Sequence, residues 1–220
     1  MKLKQFVIIG LGRFGSSIGR ELVQSGNEVL GIDEDEEKVD DMNGVLTHTV
    51  LANGTDEEVL RSVGVRNFDC GIVAIGSDIQ ASILAAILLK DMGIGKVVAK
   101  AVSELHGRVL EKIGVDRVVY PERDMGVRVA HQLVSPNLLD YIELSNKYTI
   151  VELGVPASLS GKSIAAVNPR GRFGCSIVAI NKPRGMVIAP IADDILMEND
   201  VMVVIGSNNQ IEQFQASLEK

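Results

Sequence analysis

Short apolar stretches alternate with longer segments of helical periodicity along the first 134 residues. Six of the apolar stretches are rich in valine and isoleucine and apolar at successive positions, which is typical of strands covered on both faces. These predicted strands are Gln5–Ile9, Glu28–Ile32, Thr47–Leu51, Asp69–Ala74, Lys96–Lys100 and Arg117–Tyr120. The predicted helices cover 13–25, 34–42, 56–63, 79–92, 103–113 and 123–133. Six alternating units predict an α/β domain over residues 1–134, with a doubly wound parallel Rossmann-like sheet.

The pattern changes at Ser135, Pro136 and Asn137, which end the sixth predicted helix. A short linking segment, 138–144, leads to a second group of elements. These are predicted strands at Tyr148–Gly154, Cys175–Ile180, Met186–Ala189 and Val201–Ile205, and a closing helix over 209–218. Asn181–Gly185 is typical of a hairpin loop, and Pro190–Asp193 of a turn. Residues 135–220 therefore predict a second, smaller α+β domain.

Composition and charge narrow the class of protein. The chain is 46% hydrophobic and 23% charged, as globular proteins are. Its net charge of −7 disfavours nucleic acid and anionic membranes as partners. The longest apolar stretch, 79–89, is too short to cross a bilayer, and the N-terminus lacks a signal-peptide cleavage site, so we expect a cytoplasmic protein. In that compartment Cys70 and Cys175 are expected to be buried thiols.

The first predicted strand runs directly into the motif G-x-G-x-x-G. Gly10 allows a tight turn, Gly12 lets the backbone approach a pyrophosphate, and Gly15 lets the following helix pack on the sheet. Phosphates would lie on the free N–H groups of that helix, where its dipole favours negative charge. The second predicted strand ends at Asp33, whose carboxylate can accept both ribose hydroxyls. This order predicts a site for an adenosine nucleotide or NAD, and Asp33 disfavours the 2′-phosphate of NADP.

Signals for catalysis are weak. His48, His106 and His131 show no metal-ligand spacing, and the motifs of serine hydrolases, P-loop enzymes and zinc proteases are absent from the sequence. A nicotinamide oxidoreductase needs a domain that presents a substrate and a proton-transfer group to the cofactor. The second domain offers no such group. We therefore predict a protein that is not an enzyme, and a NAD-dependent oxidoreductase is the alternative.

Three segments resemble the RCK (also called KTN) family of potassium-transport regulators, and the resemblance spans nearly the whole chain. The segments are Val7–Ile18, Ile72–Ser82 and Val119–Gly126. A C-terminal subdomain of the RCK-C kind begins near Asp140. The chain is most similar to the cytosolic gating-ring subunits of Ktr-type bacterial potassium uptake systems. Within this family, the alternative interpretation is an RCK module of a potassium efflux or channel system.

The resemblance implies an assembly and a mode of action. Such proteins form homo-octameric rings, tetramers of dimers, in which the helix after the sixth strand exchanges with a neighbour. The ring docks on a membrane potassium transporter subunit, so that the chain reaches the membrane only through this partner. ATP activates the transporter and ADP inactivates it, and NAD or NADH also binds to members of the family.

The resemblance also assigns roles to single residues. Arg13, next to Phe14 in the glycine-rich loop, matches an arginine that contacts the nucleotide phosphates, and Asp33 matches the ribose-binding acid. Lys100 matches too, and Glu122 matches a glutamate near the γ-phosphates at a subunit interface, where it binds a divalent cation such as Mg²⁺ or Ca²⁺. Two polyphosphates that face each other need such a cation between them. From the residues alone, Arg13 could be a surface residue, Lys100 a strand end and Glu122 a favourable acid in a first helical turn.

A basic cluster in the second domain resembles the cyclic di-AMP site of the RCK-C dimer, where this second messenger is inhibitory. Arg170 and the turn at Pro190 match positions that hold the ligand. Arginines from two copies would bind the two phosphates, and Ile164 and Ile177 would contact the bases. Which arginine faces the ligand stays open, because Arg172 could equally lie in a solvated basic loop.

Overall fold

The computed structural model of this chain describes residues 3–134 and 137–218. Contacts between Cα atoms divide the chain into two units, Met1–Arg123 and Asp124–Lys220. The domain boundary after residue 134 stays a prediction, and Ser135 and Pro136 of the predicted helix break lie outside the described residues. Among the helices in the described ranges, none is both long enough and apolar enough to cross a membrane.

A six-stranded parallel sheet forms the centre of the first unit. Its strands are β1 (Gln5–Ile9), β2 (Glu28–Asp33), β3 (His48–Leu51), β4 (Cys70–Val73), β5 (Val97–Lys100) and β6 (Arg117–Val119). They lie in the order β3-β2-β1-β4-β5-β6, and every neighbouring pair is parallel. The predicted doubly wound sheet is therefore confirmed. Strands β1 to β3 are added toward one side of the sheet and β4 to β6 toward the other, so the strand order switches direction between β1 and β4. Such folds bind ligands at the carboxyl ends of the strands near this switch point.

Six helices follow the six strands along the chain, and the last of them continues into the second unit, which begins at Asp124. They are α1 (Arg13–Gln24), α2 (Glu36–Met42), α3 (Glu57–Ser62), α4 (Ile79–Asp91), α5 (Glu104–Lys112) and α6 (Pro121–Val134). Helices α2 to α5 each begin at a side chain that accepts a hydrogen bond from the first turn, and these N-caps are Asp35, Asp56, Asp78 and Ser103. Helix α1 begins at Gly12, which offers no side-chain cap. Its first turn therefore leaves N–H groups available to a ligand.

The second unit contains a smaller antiparallel sheet. Its strands are β7 (Leu138–Ser145), β8 (Tyr148–Gly154), β9 (Ser176–Lys182), β10 (Gly185–Ile188) and β11 (Val201–Ser207), in the order β10-β9-β11-β8-β7. Two short helices, α7 (Ile164–Val167) and α8 (Pro169–Phe173), and the closing helix α9 (Asn208–Leu218) complete it. Phe214 of α9 is fully buried, and its ring centroid lies 5.4 Å from that of Phe173. The predicted α+β domain is confirmed.

Several local predictions in the second unit need correction. The segment 138–144 is not a linker but belongs to strand β7, which forms a hairpin with β8. Arg172 lies in helix α8 and not in a loop. The hairpin loop between β9 and β10 is confirmed, and so is the turn after Pro190. The side chain of His131, in α6, lies outside the described part of the chain.

Both cysteines are buried and free, as predicted. Cys70 lies in the sheet of the first unit, and Cys175 precedes β9 in the second. Burial raises the pKa of both thiols above the ordinary value, because it disfavours the charged thiolate. Both side chains therefore act as small apolar groups of the core.

Candidate nucleotide-binding site

The glycine-rich loop turns directly from β1 into α1. Gly10 has φ of 98°, which favours glycine, and its N–H donates to the carbonyl of Ile32 at 2.8 Å. A Cβ atom on Gly15 would lie 1.9 Å from the carbonyl oxygen of Gly10. Helix α1 thus packs so closely on the turn that only glycine fits at position 15. The protein's own packing requires both glycines.

Gly12 differs from these two glycines. It has an ordinary φ of −63°, and a Cβ atom placed on it would meet nothing within 4 Å. Neither backbone conformation nor packing within the chain therefore requires glycine at this position. The space that a side chain would fill lies at the uncapped N-terminus of α1, where a phosphate would contact N–H groups. The residues present fit a pyrophosphate.

Asp33 joins the end of β2 to this loop. One carboxylate oxygen accepts from the N–H of Leu11 at 2.6 Å, and the other accepts from the N–H of Asp35 at 3.0 Å. The ammonium group of Lys38 lies 3.7 Å from the second oxygen, and the Asp33 side chain is only 9% exposed. Each carboxylate oxygen keeps a further lone pair, so Asp33 can also accept from ribose hydroxyls.

Other acids follow Asp33 at the start of α2. Asp35 caps α2 by accepting from the N–H of Glu37, and Glu36 and Glu37 lie in the first turn. Lys38 also pairs with Asp35 at 2.8 Å. Asp35, Glu36 and Glu37 therefore stabilise the start of α2 locally.

Lys100 and Glu122 meet beside the glycine-rich loop. The Lys100 ammonium lies 2.5 Å from a Glu122 carboxylate oxygen and 5.9 Å from the centre of the Phe14 ring. The pKa of Glu122 lies below its ordinary value, chiefly because Lys100 donates a hydrogen bond to it, and the charge of Arg13 lowers it further. Four predicted site residues, Arg13, Phe14, Lys100 and Glu122, therefore lie around one point at the carboxyl edge of the sheet.

Two further positions at this edge were not predicted as site residues. A Cβ atom on Gly76, after β4, would lie 3.2 Å from the Lys100 nitrogen, so glycine leaves room for this ammonium group. Asn53, after β3, accepts from the N–H of Thr55 at 2.9 Å, and its neighbour Ala52 donates to the Asp33 carbonyl at 2.9 Å. The sequence signal for both was their position two residues after the end of a predicted strand. Asp78, which also follows β4, caps α4.

Glu122 alone does not form a metal centre. In the described parts of the chain, no three histidine, cysteine, aspartate or glutamate residues lie close enough together to bind a metal ion. A hard cation such as Mg²⁺ needs about six oxygen ligands. Glu122 would therefore supply one oxygen, and phosphate and water oxygens would supply the rest.

The second unit brings part of the predicted second-messenger cluster together. Arg170 donates from Nε to the hydroxyl of Ser176 at 3.2 Å, directly before Ile177 on β9. The N–H of Ile164 donates to the carbonyl of Asp194 at 3.0 Å, which ties α7 to the segment after Pro190. The guanidinium carbon of Arg172 lies 4.9 Å from the centre of the adjacent Phe173 ring. Arg170 and Arg172 are both exposed, and Arg170 is held by a residue of the sheet.

The two units match two domain families in the expected order. A TrkA-N domain model matches residues 6–121, and a TrkA-C domain model matches residues 148–219. With its Rossmann-like sheet, glycine-rich loop and smaller second unit, the chain belongs to the class of RCK regulators of potassium transport. The resemblance found in the sequence is confirmed.

Curated relatives identify the particular family. The chain is 47% identical to Ktr system potassium uptake protein A of Bacillus subtilis (strain 168), over 98% of this chain and 97% of the relative. It is 43% identical to Ktr system potassium uptake protein C of the same strain, over 96% of each chain. The chain therefore belongs to the family of Ktr system potassium uptake proteins.

A solved structure supports the fold. The GsuK RCK domain superposes with a TM-score of 0.55 at 25% sequence identity, covering 97% of this chain and 47% of that chain. The chain thus spans about half of the length of this structural relative.

Proposed function

We propose that this chain is a nucleotide-sensing regulatory subunit, and not an enzyme, that gates the membrane subunit of a Ktr-type potassium transporter. The observation that carries the proposal is the open space at Gly12 beside the uncapped N-terminus of α1. Asp33, at the end of β2, accepts from the N–H of Leu11 in this loop, at the distance along the chain that dinucleotide-binding folds use. Together these residues fit adenosine, ribose and phosphate groups, which ATP, ADP and NAD(H) share.

Different residues bind different parts of the nucleotide. Asp33 accepts from the ribose hydroxyls, while the first turn of α1 and Arg13 bind the phosphates next to the ribose. Lys100 and Glu122 bind the terminal phosphate and its divalent cation, Mg²⁺ or Ca²⁺. ATP and ADP differ by one phosphate, so Lys100 and Glu122 are the residues that distinguish them. We infer that ATP activates and ADP inactivates the transporter by this contact.

A change at Glu122 acts directly on α6, because Glu122 lies in the first turn of this helix. Further along, α6 exposes Met125, Val127, Val129 and Leu133, which are between 43% and 79% exposed. Helix α4 likewise presents an apolar groove that includes Ile79 and Leu84. We propose that neighbouring copies cover these surfaces in a homo-octameric ring, a tetramer of dimers. The nucleotides would then gate the partner because each favours a different ring geometry.

The first test compares ATP, ADP and NADH by calorimetry on the wild type and Lys100→Gln. We expect Lys100→Gln to weaken ATP binding about tenfold, because one charge-assisted contact is lost, and to change ADP binding less. Lys96→Gln is the control, since Lys96 lies before β5 at the opposite edge of the sheet. Equal losses for ATP and ADP would contradict the division of roles. Turnover of NADH with a small carbonyl substrate would instead support an oxidoreductase.

We further propose that the second unit binds cyclic di-AMP as an inhibitor through Arg170, Ile164, Ile177 and Pro190. The hydrogen bond to Ser176 favours Arg170 over Arg172 as the phosphate ligand, because it orients the guanidinium group before binding. We expect Arg170→Ala to weaken cyclic di-AMP binding about tenfold or more in calorimetry. Arg184→Ala, in the β9–β10 loop, should have no effect. A larger loss in Arg172→Ala would reassign the contact.

A further inference from the structure

Tyr120 and Gly107 make an unusually close contact in the first unit. Gly107 is buried in the middle of α5, where glycine is a poor helix former. A Cβ atom on Gly107 would lie 1.7 Å from the Tyr120 hydroxyl oxygen and 2.6 Å from Cζ. The end of the Tyr120 ring therefore fills the space of a side chain at position 107. Glycine at position 107 therefore makes room for Tyr120, although it does not favour the helix.

Tyr120 also contacts the first turn of α6. It directly precedes Pro121, the first residue of this helix, and the guanidinium carbon of Arg123 lies 3.9 Å from the centre of its ring. Stacking of a guanidinium group on an aromatic face is favourable. The hydroxyl end of the Tyr120 ring thus lies against the backbone of α5, and one face of the ring lies against Arg123. Both contacts involve the start of the helix that carries Glu122.

The Lys100–Glu122 pair needs such support. Glu122 is 69% exposed at its side chain, and exposed ion pairs are weak because two flexible side chains must be ordered. The Lys100 side chain, in contrast, is only 12% exposed, and its ammonium group lies close to Gly76. Lys100 is therefore fixed in place, and the pair forms only when Glu122 lies within reach of it. Whether the pair forms therefore depends on where the first turn of α6 lies.

We propose that Tyr120, seated on Gly107, is a positioning residue that holds the first turn of α6 so that Glu122 meets Lys100. This inference rests on the proposed function for its consequence, the discrimination between ATP and ADP. The contact itself is independent of any ligand. Gly107 and Tyr120 thereby belong to the nucleotide-sensing apparatus through their effect on the Lys100–Glu122 pair.

The test that needs no nucleotide measures the reactivity of Lys100 toward an amine-acetylating reagent by peptide mass spectrometry. Gly107→Ala should displace the Tyr120 ring, free Lys100 from Glu122 and raise its acetylation rate about fivefold relative to Lys96 in the same sample. Gly95→Ala is the matched control, because its Cβ atom would lie 3.5 Å from the nearest heavy atom, an ordinary contact. Circular dichroism establishes that each variant is folded. An unchanged Lys100 rate in folded Gly107→Ala overturns the proposal.

A second set of variants distinguishes positioning from general destabilisation. Tyr120→Ala should raise the Lys100 rate as much as Gly107→Ala, and the double variant should be no faster than either, since both act through one contact. Tyr120→Phe keeps the ring and should stay within about twofold of the wild type. Additive effects would overturn the proposal, and Tyr120→Ala tests it even when Gly107→Ala does not fold.

The ATP-to-ADP affinity ratio then connects the contact to function. Both Gly107→Ala and Tyr120→Ala should lower ATP affinity about fivefold and leave ADP affinity unchanged. A wild type that binds neither nucleotide contradicts the proposed function, whereas the Lys100 reactivity still decides the positioning role.

Discussion

Gly12→Ala is expected to abolish binding of ATP and ADP while the protein stays folded. The added methyl group meets nothing in the protein, but it lies where phosphate oxygens must approach the N–H groups of α1. We expect affinity to fall at least about a hundredfold, since two charge-assisted hydrogen bonds are lost. Alanine is a poorer N-cap than glycine but restricts the unfolded chain more, so the free energy of unfolding should stay within about 1 kcal/mol. Calorimetry and thermal melts measure the two quantities.

Gly15→Ala provides the contrast to Gly12→Ala. Its Cβ atom would overlap the Gly10 carbonyl oxygen, so this variant should lose about 2 kcal/mol of stability in addition to binding. Gly95→Ala should lose neither. Full nucleotide affinity in Gly12→Ala would contradict a phosphate site at this helix.

The second large effect is expected for Asp33→Ala, which should lose both binding and stability. Removal of the ribose contacts should lower ATP affinity about a hundredfold. The N–H groups of Leu11 and Asp35 also lose their acceptor, and in this half-buried place we expect a loss of about 2 kcal/mol in the free energy of unfolding. Its two backbone contacts thus give Asp33 a structural role beside the proposed ribose-binding role.

Asp33→Asn and Glu34→Ala complete this experiment. Asparagine keeps one acceptor for Leu11 but turns an amide donor toward the N–H of Asp35, so its stability should lie between those of the wild type and Asp33→Ala. Glu34→Ala removes an exposed neighbouring carboxylate and should bind ATP normally. Wild-type ATP affinity in Asp33→Ala would remove the ribose-binding role of this residue.

The sequence predicted the first unit well because its signals are local. Strands covered on both faces are apolar at successive positions, and β1 and β4 therefore stand out clearly. The glycine-rich loop follows from steric needs within a few residues, as the overlap between Gly15 and Gly10 illustrates. The meeting of Lys100 and Glu122 needed one further fact, the parallel pairing of β5 with β6, in which Lys100 is the partner of Val119.

The features that were missed depend on contacts between distant segments. Strand β7 is mostly half-buried or exposed, so it lacks the apolar run of a covered strand, and only its pairing with β8 defines it. The role of Gly107 could not be predicted, because a glycine within a helix does not indicate which side chain packs against it. The structure shows that this side chain is Tyr120. A single sequence predicts which residues line a turn, but it does not predict which side chain fills the space above a distant glycine.

The burial of Cys70 and Cys175 makes the chain convenient for fluorescence work. Maleimide dyes react with the thiolate, and here both thiols are shielded and hold their protons firmly. A cysteine introduced at the surface of α6 should therefore take up dye selectively, with both native cysteines left in place. Energy transfer between labelled copies would then test whether the copies assemble as proposed and whether this helix moves when ATP replaces ADP.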